Sequence, residues 1–265
     1  MRIVTAPLAS AQKRGNRMKK ENFNISLPPI WVANLARSPE RRRFMQQQFG
    51  SMNLPYRIIN ASDGKKLSQE ELQKYSKRHA LKDKGRELSK GEIGCALTHA
   101  KMCHQMLEDN LDEVLILEDD VVITQDLLNV LLQRRKFPPD WEAVNFANTW
   151  AKAFPRGEPV CKDYRICKFK CIANRTSAYL INRQGAKKLI DHLYPIRLPA
   201  DDLMGRTRIT GLHLYGITPS VVALANFKSD IWSDEGEANE LIFNDLKIWP
   251  RMRKKGEMIL SRIFG

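Results

Sequence analysis

Apolar residues run unbroken through Val114-Leu115-Ile116-Leu117, then three carboxylates arrive together, Glu118-Asp119-Asp120, before a second apolar run, Val121-Val122-Ile123. Four apolar residues without alternation predict a strand covered on both faces, the usual state of a parallel-sheet strand in an α/β layer. Unpaired like charges at its end repel, and burial costs each of them several kcal/mol unless something cationic meets them. Oxygen ligands suit a hard cation, Mg²⁺ or Mn²⁺. Open α/β sheets bind ligands just outside the carboxyl ends of their strands, where this cluster falls. The competing account is a solvated acidic turn after a core strand.

The rest of the pattern alternates strands with helices. Pro28-Pro29 precede a strand at Ile30 to Leu35, and Ser38-Pro39-Glu40 opens a helix with Ser as N-cap, Pro at the first position and Glu in the first turn. That helix carries Arg41-Arg42-Arg43 and ends at Gly50. A second strand is expected at Tyr56 to Ile59, a turn at Asp63-Gly64, and a short helix from Ser68 to Arg78 with a Ser-x-x-Glu capping box. Residues 80–90 read as a lysine-rich loop. From Gly91 the apolar positions Ile93, Ala96, Leu97, Ala100, Cys103 and Leu107 keep helical spacing. After the acidic-ended strand follow a helix from Thr124 to about Lys136, a strand at Ala143 to Ala147, and an irregular basic stretch over 150–171. A strand at Ser177 to Ile181, a helix from Arg183 to Leu193, a helical turn opening at Ala200, and two late strands, Leu212 to Ile217 and Val221 to Leu224, complete the chain. The expected fold is α/β with a mainly parallel central sheet flanked by helices.

Charge changes the picture at the two ends only. The chain has 265 residues and a formal net charge of +14. Residues 1–20 hold six basic residues and no acid, and residues 247–265 hold six more against Glu257 alone, so the body carries only three of the excess charges. Basic ends on a nearly balanced body fit an anionic membrane surface better than a nucleic-acid groove. Five cysteines, an odd number with two on an apparent helix, suit a reducing compartment better than a disulfide framework. The series Cys95-x3-His99-x3-Cys103 and Cys161-x5-Cys167-x3-Cys171 lack the C-x2-C pairs usual for zinc. No apolar run approaches the roughly 20 residues that span a bilayer. The start, broken by Pro7, is a poor signal peptide, and Met18 is a plausible alternative start. Residues 1–27 read as a flexible basic leader, and residues 28–246 as the folded domain.

Four segments in order resemble glycosyltransferase family 25, which includes bacterial lipooligosaccharide and lipopolysaccharide glycosyltransferases and collagen hydroxylysine galactosyltransferases. They are Val32-Ala33-Asn34-Leu35-Ala36-Arg37-Ser38-Pro39-Glu40-Arg41-Arg42, Ala61-Ser62-Asp63-Gly64, Leu88 to His99 (Leu-Ser-Lys-Gly-Glu-Ile-Gly-Cys-Ala-Leu-Thr-His) and Ile116 to Asp120. Weaker echoes are Ser177 to Ile181 with Gly185 to Leu189, and Leu198 to Asp201. Thr98 replaces a serine common in the family and keeps its hydroxyl; Ala33 replaces an isoleucine. The resemblance covers roughly residues 30–230. It implies a GT-A type, Rossmann-like nucleotide-sugar fold and transfer from a UDP-sugar, commonly UDP-galactose, with inversion.

Carried onto these residues, the resemblance gives a candidate site. The stretch Val32, Asn34, Leu35 and Arg37 falls where a Rossmann-like half contacts a nucleotide; Asn34 could read the uracil edge, and Arg37 or Arg41 could face the diphosphate. Arg41-Arg42-Arg43 has a solvated helix face as its alternative, with one of the three reaching the site. Asp63-Gly64 could hold the ribose or form a plain turn. Glu92 and His99 share a helix face towards the donor, although a histidine satisfied in the core competes. Glu118, Asp119 and Asp120 border the donor. Glu118 and Asp120, on one side of a strand, would hold the metal, with Asp120 the direct ligand and Glu118 alternatively on the ribose. Asp201 or Asp202 would take the acceptor proton, N-capping being the other use of Asp201. His213 could be a late metal ligand, or a strand histidine in the core.

The tail from Lys247 to Gly265 sets Ile248, Trp249, Met252, Ile259 and Ile263 near one side of a helix among basic residues, the pattern of an interfacial anchor. The expected protein is a cytoplasmic transferase, peripheral on the inner face of the inner membrane. It would use Mn²⁺ or Mg²⁺ and a UDP-hexose donor on a lipid-linked oligosaccharide acceptor, with no nucleic acid. Two rivals use the same features: a metal-dependent phosphohydrolase built on the carboxylates, and a basic nucleic-acid-binding protein.

Overall fold

The computed structural model describes residues 26–147, 157–168 and 175–227. The whole amphipathic tail and all but the last two residues of the basic leader lie outside them. The elements, in chain order, are β1 (Ile30–Asn34), α1 (Pro39–Met52), β2 (Arg57–Asn60), α2 (Gln69–Gln73), α3 (Lys77–Lys84), α4 (Lys90–Glu108), β3 (Glu113–Glu118), β4 (Val121–Val122) and α5 (Gln125–Leu132). There follow β5 (Ala143–Asn145), β6 (Glu158–Cys161), β7 (Tyr164–Cys167), β8 (Ala178–Asn182), α6 (Arg183–Leu193), α7 (Ala200–Gly205), α8 (Thr207–Thr210), β9 (Leu214–Thr218) and β10 (Ala223–Leu224).

Eight strands form one sheet in the order β2-β1-β3-β8-β5-β9-β7-β6. β1 pairs in parallel with β2 and with β3, and β5 with β9, whereas β8 is antiparallel to both of its neighbours and β7 to both of its own. All strands but β8 and β7 therefore run one way, and the expected α/β architecture with a mostly parallel sheet is present. Successive side chains of a strand face opposite sides. In β3, Val114 and Ile116 join the core with α4 and α6, while Leu115 and Leu117 join the one with α1 and α5. All four are at most 1% exposed, which explains the unbroken apolar run.

Several boundaries differ from the expectation for identifiable reasons. The helix anticipated over Ser68 to Arg78 is two helices, because Tyr75 bridges to Ile196 and Ser76 then caps a new helix that extends to Lys84 through the anticipated loop. The late strand Val221 to Leu224 shortens to β10 and pairs with β4 outside the main sheet. In the stretch read as irregular, β6 and β7 form a hairpin at the sheet's far edge.

The connection from β1 goes out to β2 and then back across to β3, so the order reverses at β1, and the carboxyl ends of β1 and β3 open a crevice there. Register sets Ala33 beside Glu118 and Asn34 beside Asn60. The loop leaving β2 then crosses the first turns of α4 at very short range. A Cβ on Gly64 would meet the Lys90 carbonyl oxygen at 2.4 Å, and one on Gly94 the Ser62 carbonyl oxygen at 2.6 Å. Gly50, inside α1, would meet nothing within 4 Å.

Gly64→Ala and Gly94→Ala should each lower stability by about 1–3 kcal/mol through overpacking against backbone that cannot yield. Gly50→Ala should instead raise it by roughly 0.5–1 kcal/mol through helix propensity. Thermal melts of the three variants check both the sizes and the opposite signs.

Candidate functional site

A cleft of about 190 Å³ opens at this reversal, lined by Leu35, Arg37 and Arg41 from the start of the chain, Ser62 and Gly64 from the loop after β2, Cys95 and His99 from α4, and Glu118, Asp119 and Asp120 at the end of β3. The loop is tied to the helix through one hydroxyl. Thr98 Oγ1 donates to the Gly94 carbonyl at 2.7 Å and accepts from the Ser62 amide at 2.9 Å. That double use accounts for a hydroxyl residue ahead of the histidine.

The three consecutive carboxylates have different surroundings. Asp119 turns inward: Asn34 Nδ2 donates to its Oδ2 at 2.7 Å and Arg41 Nη1 to its Oδ1 at 2.7 Å. Burial pushes the Asp119 carboxyl up despite these partners, because desolvation outweighs them. Glu118 receives hydroxyl donors from Thr176 at 3.0 Å and Ser177 at 3.2 Å, and His99 Nε2 stands 3.5 Å from its Oε1. Burial pushes this carboxyl up, but the contacts with His99, Thr176 and Ser177 prevail and hold it below the ordinary range. Asp120 is the least satisfied. Its Oδ1 is buried without a hydrogen-bond partner, and Arg41 approaches its Oδ2 only to 3.8 Å. Burial and the neighbouring Glu118 charge raise it to about 6.

Around these, Arg37 Nε faces Asp63 at 3.2 Å, and the same carboxylate accepts from the Lys65 amide at 3.0 Å, so Asp63 both caps the turn and pairs. The Arg41 guanidinium lies 5.3 Å from the ring centre of Phe227, which packs edge-on against Phe44. His99 Nδ1 is 2.9 Å from the Tyr179 hydroxyl. Arg42 and Arg43 are exposed. Asp201, the second residue of α7, accepts from the Asp202 amide through Oδ1 at 2.8 Å; its carboxyl is pushed up by burial, then by the charges of Asp202 and Glu118. Asp202 is engaged by Lys84 of α3.

Of the expected site residues, Asn34, Asp63, Asp201 and Asp202 do not line the cleft themselves, and three more are held for other work. Val32 is fully buried in the core between the sheet and α1, because its place in β1 points it away from the cleft. Glu92 closes the capping box of α4 with Ser89 and binds Arg86 in two contacts of 2.7 and 2.6 Å, so it anchors the helix start and does not line the cleft. His213 precedes β9, whose register sets Leu214 level with Ala143, Ile181 and Val114 at the opposite end of the sheet from Glu118. Four strand positions separate these levels, about 13 Å at ~3.3 Å per residue, and His213 instead contacts Asp140 at the surface. It is neither a ligand here nor a core histidine. Asp201 is not the N-cap of its helix either; Pro199 holds that position. Conversely, Thr176, Ser177, Tyr179, Lys84, Arg86 and Phe227 escaped the sequence reading. The hydroxyl pair ahead of β8 reaches Glu118 because β8 runs antiparallel to β3 and so begins where β3 ends, a pairing no local pattern announces; nothing local marks Phe227.

Comparison with known proteins gives these contacts a family. The profile of glycosyltransferase family 25 (LPS biosynthesis protein) matches residues 27–204. A glycosyltransferase 25 family member of Drosophila melanogaster is 32% identical over 191 residues, 67% of this chain and 31% of that protein. Human inactive glycosyltransferase 25 family member 3 is 31% identical over 76% of this chain and 35% of its own length, and zebrafish (Danio rerio) procollagen galactosyltransferase 1 is 24% identical over 71% and 32%. The chain thus spans about a third of the length of these relatives. A solved glycosyltransferase involved in glycosylation of the major capsid of PBCV-1 aligns at 9% identity with a TM-score of 0.32 over 65% of this chain and 67% of its own. The crevice at the sheet reversal and the matched segments that build it belong to one chain, and that chain is a member of glycosyltransferase family 25.

Proposed function

We propose that this protein transfers a hexose, galactose first among candidates, from a UDP-sugar to a growing lipooligosaccharide or lipopolysaccharide core, with inversion and with a divalent cation. The observation that carries the reading is Asp120 Oδ1, an oxygen buried in the cleft with no partner. Such an atom costs free energy unless a cation or donor meets it. The oxygen set of Asp120 and Glu118 fits Mn²⁺ or Mg²⁺, with Asp120 the principal ligand. When bound, the ion supplies Lewis-acid neutralisation of charge on the departing UDP.

The protein's own groups divide the remaining work. Arg37 lines the cleft, and its planar guanidinium would face the phosphate oxygens of the donor. Asn34, expected at the uracil edge, is 1% exposed and does not line the cleft, so its part is to hold Asp119 in place. Inversion needs one carboxylate to remove the acceptor hydroxyl's proton as the hydroxyl attacks the anomeric carbon from the face opposite UDP. Asp201 suits that role better than Asp202. Its Oδ1 is occupied by an amide and its Oδ2 remains for the proton, and its raised affinity for protons makes it a stronger base than an ordinary aspartate. Asp202 is engaged by the Lys84 ammonium. The basic tail, by its sequence, would hold the enzyme to the anionic inner leaflet beside a lipid-linked acceptor.

A panel of nucleotide sugars incubated with lipooligosaccharide acceptor and Mn²⁺ should show UDP release with UDP-galactose, abolished by chelation. Release of phosphate from simple phosphate esters without any sugar donor would replace this reading with the phosphohydrolase.

The three adjacent carboxylates should separate cleanly on substitution. Asp119→Ala removes the buried carboxylate that Arg41 and Asn34 share, and should destabilise the fold by about 3–5 kcal/mol. Asp120→Asn should keep or raise the melting temperature, since it removes a charge crowded by Glu118, and lose Mn²⁺-dependent donor binding. Asp201→Asn should bind donor normally and turn over at least about 100-fold more slowly, the usual worth of a general base. Melting curves, calorimetry and initial rates read the three outcomes.

A further inference from the structure

We propose that Cys95, His99 and Glu118 form a binding site for a thiophilic divalent cation, Zn²⁺ or its spectroscopic substitute Co²⁺, on the wall of the same cleft. The inference does not rest on the transfer reading, because it concerns only what these three side chains bind.

One donor atom from each of the three residues can be chosen so that all lie within 4.8 Å of one another. Ligand bonds of about 2.0–2.3 Å at a tetrahedral zinc set its donor atoms roughly 3.3–3.8 Å apart. His99 Nε2 and Glu118 Oε1 already stand at 3.5 Å, so closure needs only a small inward movement of the cysteine sulfur. The residues come from two rigid elements. Cys95 and His99 are one turn apart on α4, and Glu118 ends β3.

The surroundings are those of an oriented ligand set. Tyr179, wholly buried, engages His99 Nδ1 at 2.9 Å and leaves Nε2 facing Glu118. Thr176 and Ser177 donate to the Glu118 carboxylate, and Thr176 also hydrogen-bonds with Cys95. Outer partners of this kind orient metal ligands. Sulfur, imidazole and carboxylate together favour Zn²⁺ over the hard cations that suit Asp120. Cys103, one turn beyond His99, is 2% exposed in the apolar core and takes no part, so the third ligand is Glu118 from β3 and not the second cysteine of the Cys-His-Cys series. Three protein ligands leave a fourth position towards the cleft. On binding, the Cys95 S–H bond breaks, its proton passes to solvent, and a zinc–sulfur bond forms with no change of oxidation state.

Titration of the reduced full-length chain with Co²⁺ should give a near-ultraviolet sulfur-to-cobalt band saturating at one equivalent. Cys95→Ser should remove it, Cys161→Ser should retain it, and His99→Gln should weaken Co²⁺ binding about tenfold or more. A measurement on the unmodified protein guards against a misfolded variant: Zn²⁺, but not Mn²⁺, should slow alkylation of Cys95 by at least about tenfold, followed by peptide mass spectrometry. Absence of the band, its survival in Cys95→Ser, or an alkylation rate indifferent to Zn²⁺ would each overturn the assignment.

Discussion

The site depends on how one carboxylate is held. Asp119 is drawn inward by Asn34 from the end of β1 and by Arg41 from the first turns of α1, at 2.7 Å each. A buried ion pair of this sort adds little net stability over an apolar substitute, yet losing either partner leaves an expensive buried charge. Its contribution is geometric. It locks the turn after β3 to the turn after β1, and so decides which way the flanking carboxylates look. With Asp119 committed to the protein, Glu118 is left to the hydroxyls of β8 and the imidazole of α4, and Asp120 is left with an oxygen that nothing in the described residues satisfies.

A second constraint is the near contact of the loop after β2 with α4. Two glycines make it possible, and one threonine hydroxyl fastens it. The segments that identify the family are therefore parts of one mechanical unit: strand end, loop, helix start and acidic turn meet around a single crevice. Cys95 and His99 are brought there by the same packing, so the proposed hard-oxygen site and the proposed sulfur-nitrogen site share Glu118.

Much of this was readable from residue order. The unbroken run Val114 to Leu117 announced a doubly covered strand, and Ser-Pro-Glu announced the helix that delivers Arg41. Where the reading went astray, long-range packing had overridden a local signal. Ser68 to Arg78 looked like one helix until a bridge between Tyr75 and Ile196 interrupted it. Glu92 shares a face with His99, but the capping box and Arg86 claim it. His213 stands just before β9 and the acidic turn just after β3, and because these two strands run the same way, a relation no local pattern encodes, His213 lies at the other end of the sheet. Phe227 and Lys84 have no local signature; only the folded chain sets them beside Arg41 and Asp202.

The central claim is that Asp119 serves the fold so that Asp120 can serve a cation on the donor diphosphate. Isothermal calorimetry of UDP against the full chain tests it most directly, run once with Mn²⁺ and once with a chelator. Binding that appears with Mn²⁺ and vanishes on chelation is the predicted result. Equal affinity under the two conditions, or no binding in either, would contradict it.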